Sequence, residues 1–241
     1  MILIAMAGKS SRFFAQGYTQ PKYELLVGDK TLFQLSVESF ASYFHSEHFV
    51  FVTRAEFSAR KFIERECQKM GVDSFSVVDL EYDTAGQAES VFLGLRDASD
   101  DAPLTIFNID TIRHHFVQPN LLNCDGYLDV FEGDGSNWSF AKCAPGSKRV
   151  IETAEKIAIS NLCSTGLYFY KTVGLYRQAY DLVMRERSNY VSRWKELYIA
   201  PMYNELIAQG CNIQVNICPR EDVLFSGTPE EYQQLLAQVK V

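Results

Sequence analysis

The chain opens Met1-Ile2-Leu3-Ile4-Ala5-Met6-Ala7-Gly8-Lys9-Ser10-Ser11-Arg12-Phe13, and the reading of this stretch decides the fold. Ile2 to Ala7 is an unbroken apolar run, the pattern of a short strand covered on both faces. A turn of small residues follows at once. Thr31 to Phe44 then carries Leu32, Leu35, Val37 and Phe40 at helical spacing. A buried strand, a tight turn and a helix begin a parallel, helix-covered sheet. A small-residue turn after such a strand can present backbone N–H groups to a phosphate, and Arg12 adds a bidentate phosphate donor. Gly8-Lys9-Ser10 is not a Walker A loop, because that motif needs a glycine five residues before Gly8 and the chain has Leu3 there.

Outward from this stretch the same alternation continues. Phe49 to Thr53, Phe75 to Leu80 and Leu104 to Ile109 read as strands. Phe57 to Met70 and Gln87 to Arg96 read as helices, the first ending at Gly71 as a C-cap. After Asp110 the pattern changes. Tyr127–Glu132, Trp138–Cys143, Arg149–Ala154 and Thr165–Tyr170 are strand-like with turn residues between them, and Asn212 to Cys218 alternates as a further strand. Val173 to Arg187 and Tyr198 to Gln209 predict helices. At the end of the chain Thr228-Pro229-Glu230-Glu231 predicts a helix start, with Thr228 as N-cap, Pro229 in the first turn and Glu231 as the capping-box acid. The length of 241 residues suits one domain, residues 1–241, with a first half of about 1–115 and a second of about 116–241.

Composition excludes several classes. Twenty-three basic against 30 acidic residues give a formal net charge of −7, the wrong sign for a general nucleic-acid binder or a polybasic membrane anchor. No apolar run approaches the ~20 residues that span a bilayer, and the first strand has no basic flank of the kind a signal peptide carries. Six cysteines are scattered without a C-x-x-C pair, and the four histidines form no metal-binding spacing. Reduced thiols in a cytoplasmic protein are the expectation.

The motifs reinforce one another along the chain. Gly8-x-x-Ser11-Arg12-Phe13 is followed by Gly17-Tyr18-x-x-Pro21-Lys22 and Val27-Gly28-Asp29-Lys30. Then come Thr84-x-Gly86-Gln87-Ala88-Glu89, and Asn108-Ile109-Asp110 at the end of a strand. The second half adds Trp138-Ser139-Phe140-Ala141, Glu155-Lys156-x-x-Ile159-Ser160 and Thr165-Gly166-Leu167-Tyr168-Phe169. Glu196-x-Tyr198-x-x-Pro201-x-Tyr203-Asn204 and Gly227-Thr228-Pro229-Glu230 close the series. This ordered set resembles the sugar-phosphate nucleotidyltransferases, in the compact form without a C-terminal left-handed β-helix. The resemblance implies an α/β, glycosyltransferase-A-like (Rossmann-related) fold with a mixed, mainly parallel sheet flanked by helices.

It also implies a reaction. A phosphorylated small molecule, sugar or non-sugar, attacks the α-phosphorus of a nucleoside triphosphate and pyrophosphate leaves, with CTP favoured among the bases and capsule or surface polysaccharide synthesis as the setting. Both reactants are polyanions and the attacking phosphate is already a nucleophile. Alignment and charge neutralisation therefore carry the catalysis. By the resemblance Arg12 and Lys22 hold the departing pyrophosphate and Lys156 the acceptor phosphate. Ala7, Gly8, Lys9, Ser10, Ser11, Gly86 and Gln87 bind the nucleotide, Gly86 by letting the backbone approach the base. Gly166 and Glu196 join Lys156 around the acceptor, and Asp110 binds Mg2+. The partners implied are a nucleoside triphosphate and a phosphorylated acceptor, with no nucleic acid and no membrane, and the oligomeric state stays open.

The chain departs from the family pattern at three places. Ser10 stands where the family loop usually has glycine, and Ile157 follows Glu155-Lys156 where proline is usual. Phe225 occupies the position two residues before Gly227 where many relatives carry a second magnesium aspartate; Asp222 or Glu221 lies near enough in sequence to substitute. Two competing readings follow. One is a glycosyltransferase of the same superfamily, which would use Asp110 in an Asp-x-Asp-like site although position 108 is Asn. The other is a silent nucleotide-binding subunit, against which the joint presence of Arg12, Lys22, Asp110 and Lys156 argues.

Overall fold

A computed structural model of the chain describes residues 1–120 and 123–239. The strands, in chain order, are β1 Ile2–Ala5, β2 Leu26–Val27, β3 Lys30–Thr31, β4 Phe49–Arg54, β5 Phe75–Leu80, β6 Leu104–Asn108 and β7 Thr111–Arg113. They continue as β8 Gly126–Glu132, β9 Ser139–Cys143, β10 Val150–Glu155, β11 Leu162–Tyr170, β12 Ile213–Ile217 and β13 Val223–Phe225. The helices are α1 Ser11–Ala15, α2 Leu32–Val37, α3 Arg60–Met70, α4 Gln87–Gly94, α5 Val173–Arg185, α6 Arg187–Trp194, α7 Tyr203–Ala208 and α8 Pro229–Val239.

Nine of the strands form one mixed sheet in the order β10-β9-β11-β6-β1-β4-β5, with β8 pairing β11 and β12. β1, β4 and β5 run parallel in register, and so do β8 and β12. β9, β10, β11 and β8 supply the antiparallel ladders. The expected α/β, mainly parallel architecture is the one the chain adopts. Two small ladders lie apart, β2 with β3 and β7 with β13.

The described residues fall into two compact units. One comprises Ile2–Tyr82, Phe107–Val117 and Glu221–Val241; the other comprises Met1, Asp83–Ile106 and Gln118–Arg220. In the first unit, Leu3, Ile4, Phe49, Phe51 and Val52 have no measurable exposure, which is why these strands read as continuous apolar runs. A second cluster in that unit packs Phe13, Leu25, Val27 and Leu32 against Ile112, Tyr232 and Leu235. It seats α8 and β7 on the N-terminal segments, and the Tyr232 hydroxyl donates to the Leu26 carbonyl at 2.7 Å.

Helix ends follow the sequence closely in places. Gly71 caps α3 at φ +76°, where a residue without Cβ is the cheapest choice. At α8 the Thr228 hydroxyl accepts from Glu231 N at 3.2 Å, and Thr228 N donates back to Glu231 Oε2 at 2.9 Å, the reciprocal capping box. Elsewhere the boundaries shift. α3 starts at Arg60 rather than Phe57, because Ser58 sits at φ +49° and separates it from a short 3-10 turn over Ala55–Phe57. The predicted helix over 173–187 ends at Arg185, and α6 follows it after Glu186 leaves helical geometry at φ −114°. The predicted helix over 198–209 is a 3-10 turn at Ala200–Met202 running into α7.

α7 also finishes one side of β10. The Asn204 carboxamide accepts from Thr153 N and donates to Thr153 O, both at 2.8 Å, so one side chain satisfies both main-chain groups of a strand residue. All six cysteines are free thiols. Among the described residues no helix is long and apolar enough to cross a membrane.

Candidate active site

In the first unit the loop after β1 turns at Ser10, a non-glycine residue in left-handed geometry at φ +54°, ψ +23°. Its carbonyl accepts from Phe13 N at 2.9 Å and Phe14 N at 3.1 Å, which starts α1. Its hydroxyl does not cap that helix; it accepts from Lys22 N at 3.1 Å. Lys22 opens a 3-10 turn after Pro21. From there its ammonium reaches Asp110 Oδ2 at 2.5 Å, with the two side chains only 15% and 28% exposed. Asp110 stands two residues beyond the carboxyl end of β6, where ligands of open α/β sheets collect.

Burial acts to raise the Asp110 carboxyl. The Lys22 charge, its hydrogen bond and the charge of Arg12 outweigh that and hold it below the ordinary aspartate value. Glu230 at the start of α8 is lowered chiefly by hydrogen bonds from its own backbone and from Gln16, with a smaller contribution from Arg12, exposed on α1. Arg12, Lys22 and Asp110, chosen from sequence as separate motifs, are therefore electrostatic neighbours. Ala7 is partly buried and Gly8, Lys9 and Ser11 are exposed on the same loop; a Cβ at Gly8 would meet nothing within 4 Å.

The Gly227-Thr228-Pro229 segment lies against Asp110. Ser226 N donates to the Asp110 carbonyl at 2.8 Å, and a Cβ on Gly227 would come within 3.0 Å of Asp110 Oδ2. β13 pairs with β7 so that Phe225 faces Thr111 and Val223 faces Arg113. This register carries Asp222 to the far end of the ladder. Its carbonyl accepts from His114 N at 2.8 Å, and its carboxylate lies 3.5 Å from the buried Arg113 guanidinium. The sequence expectation of Asp222 as a second metal ligand beside Asp110 is not met: four residues of ladder, ~13 Å, separate the two positions, and Arg113 already balances its charge.

One carboxylate fits magnesium that arrives with a triphosphate. The ion takes hard oxygens, commonly keeps several waters, and uses one or two protein carboxylates alongside substrate phosphates. Among the described residues no group of three or more His, Cys, Asp or Glu is placed to hold a metal by itself.

In the second unit, Lys156 stands exposed at φ +54°, just past β10. Its ammonium donates to the Tyr198 hydroxyl at 2.8 Å and lies 4.9 Å from the centre of that ring. The Tyr198 bond, with the nearby Glu155 and Glu196 carboxylates, raises Lys156 against the lowering effect of burial, so it stays a cation. Burial raises the Glu155 carboxyl, and the Ser139 hydroxyl, which donates to it, and Lys156 work the other way. Glu196 is exposed beside them. Glu155, Ser139 and Tyr198 thus cluster with Lys156 and Glu196. Sequence reasoning quoted all three within motifs without assigning them; Glu155 was marked by adjacency to Lys156 and Tyr198 by its place two residues after Glu196, while Ser139 carried no such signal.

Gly166 makes no side-chain contact of its own. It is buried within β11 at φ +86°, where the register against β8 shifts between Ser164 and Tyr168. It shapes the strand.

Gly86 precedes α4, and Gln87 is the first residue of that helix. The expectation that Gly86 leaves room for a base needs correction. The room is taken by the chain itself: a Cβ would sit 2.5 Å from Leu197 N and 2.7 Å from Leu197 O. Leu197 N donates to Ala85 O at 2.9 Å, and its carbonyl accepts from Ala88 N at 2.8 Å. The glycine thus seats the segment that carries Glu196 and Tyr198. Gly86→Ala must move backbone, and at φ +151° it is strained besides, so it should destabilise the chain by about 2–4 kcal/mol. Urea unfolding measures this; an unchanged midpoint would mean the Leu197 segment does not rest on the turn.

Comparison with known proteins follows the same lines. No family model matches the chain, and no curated protein does. Among solved structures, the nucleoside-diphosphate-sugar pyrophosphorylase of Vibrio cholerae RC9 is 47% identical, with a TM-score of 0.94 over 99% of this chain and 100% of that one. The inositol-1-phosphate CTP transferase of T. maritima shares the fold at 17% identity, with a TM-score of 0.73 over 99% of this chain and 97% of that one. A UDP-glucose pyrophosphorylase complexed with UDP-glucose does so at 17% identity and a TM-score of 0.73, again over 99% and 97%.

Proposed function

The chain belongs to the sugar-phosphate nucleotidyltransferases, and from that premise we propose that it joins a nucleoside triphosphate to a phosphorylated small molecule, a sugar phosphate or a similar compound, and releases pyrophosphate. It is an enzyme that transfers a nucleotidyl group. The observation that carries the finer reading is the meeting of Lys22, Arg12 and Asp110 beyond the ends of two central strands.

The acceptor phosphate is an anion and needs no base to become a nucleophile. Its attack builds charge on the leaving pyrophosphate, and Lys22 and Arg12 supply two cations in the first unit to receive it. Lys156, held by Tyr198, offers a cation to the acceptor phosphate. Glu155 and Glu196 offer oxygens to its hydroxyl groups. The loop Ala7–Ser11 and Gln87 are proposed for the nucleotide, with Gly86 serving to seat the Leu197 segment. Magnesium, held by Asp110, would neutralise triphosphate charge. CTP is the proposed nucleotide and supply of precursors for capsule or surface polysaccharide the proposed role, both carried from the sequence resemblance.

The test is pyrophosphate release with each of four nucleoside triphosphates and a panel of phosphorylated acceptors. One pair should give turnover that excess chelator abolishes. Transfer from a nucleotide sugar without pyrophosphate would instead make the chain a glycosyltransferase.

A further inference from the structure

Ser10 combines two features that rarely coincide without cause. It holds a left-handed backbone conformation that a side chain disfavours, at φ +54° and ψ +23°. Its hydroxyl leaves the nearby helix start uncapped and reaches a residue twelve positions on, accepting the Lys22 backbone N–H at 3.1 Å. That N–H lies in the first turn of a 3-10 helix, where no helical carbonyl is available to it. Lys22 is thus fixed at two points, its main chain on Ser10 and its ammonium on Asp110.

These tethers differ in permanence. If the Lys22 ammonium serves a phosphate, substrate competes with Asp110 for its three N–H donors, whereas the Ser10 bond to the main chain meets no such competition. We propose that Ser10 is a positioning residue: its hydroxyl holds the backbone of Lys22, and so the reach of the ammonium, through the transfer step. The proposal rests on the reading of Lys22 as a phosphate ligand. It assigns the Ser10 hydroxyl a role through Lys22, beside the place of Ser10 in the loop proposed for the nucleotide.

Two substitutions in the full-length protein separate the hydroxyl from the backbone conformation. Ser10→Gly removes the hydroxyl and relaxes the left-handed turn; Ser10→Ala removes the hydroxyl and keeps the strain. Both should lower kcat by about tenfold while KM for the triphosphate stays within about twofold. The thermal midpoint should hold or rise in Ser10→Gly and fall in Ser10→Ala. Amide hydrogen exchange, followed by NMR, should show the Lys22 N–H exchanging at least about tenfold faster in both. A merely structural role would make activity follow stability. Normal turnover in Ser10→Gly overturns the proposal, and so does an undiminished protection of the Lys22 amide. If the wild-type chain releases no pyrophosphate from any triphosphate, the functional reading fails, while the exchange experiment still decides whether Ser10 holds Lys22.

Discussion

Lys22→Ala is expected to lower turnover about 10²–10³-fold while the chain stays folded, the loss typical when one donor to a developing anion is removed. The ammonium is 15% exposed and sits 2.5 Å from Asp110. A cation so placed acts through a less polar medium than water, which strengthens its pull on charge that grows as pyrophosphate departs. Removing it leaves Asp110 without its nearest counter-ion. The carboxylate is 28% exposed, so water compensates in part and the stability loss stays near about 1–2 kcal/mol, short of the loss from a fully buried pair. Single-turnover kinetics with far-UV circular dichroism checks both halves. Near-normal turnover in a folded variant would remove Lys22 from the chemistry.

Asp110→Asn should cost activity by a factor of about 10² or more, because a neutral amide is a far poorer ligand for a hard divalent ion. The substitution keeps the shape against Gly227 and leaves Ser226 bonded to the main-chain carbonyl, so the fold is spared. Calorimetry should show magnesium uptake in the presence of triphosphate weakened in step. Full activity of the wild-type chain in excess chelator would defeat the assignment. The acid side follows from the depressed carboxyl. A group whose folded pKa is lowered contributes stability above its unfolded value, about 3.9 for aspartate, and loses it as pH falls through the lower folded value. The Lys22–Asp110 pair therefore persists from neutral pH down past pH 5, and any activity lost in that window belongs to another group.

Much of the fold was legible because its causes are local. Leu3, Phe49 and Phe51 are buried on a covered sheet, which forces apolar runs; Thr228 and Glu231 cap one another across three residues. Arg12, Lys22, Asp110 and Lys156 were legible as motifs, and the structure brings the first three together. What escaped was non-local. Thr111–Arg113 and Val223–Phe225 are three residues each and lie over a hundred positions apart, so neither announces its partner. That hidden register places Asp222 beside Arg113 rather than Asp110. Gly86 declared a need for space but not which segment fills it. Ser10 carries no mark of a left-handed turn in its residue type. α6 buries only Tyr190 and Trp194, a four-residue spacing too sparse to stand out among polar neighbours.

The three-segment make-up of the first unit has a consequence for how the protein comes into being on the ribosome. Its strands β1, β4 and β5 emerge early, yet Ser226 and Gly227, which close around Asp110, are synthesised over a hundred positions after it. At roughly 5–20 residues per second, the interval between Asp110 and Gly227 lasts about 6–23 seconds. Throughout it the nascent chain carries Lys22 and Asp110 without the segment that closes the ladder on β7. A polypeptide released before residue 227 has Arg12, Lys22 and Asp110 but lacks the glycine that packs against the Asp110 carboxylate. The surroundings of Asp110 are therefore completed only once synthesis has passed residue 227.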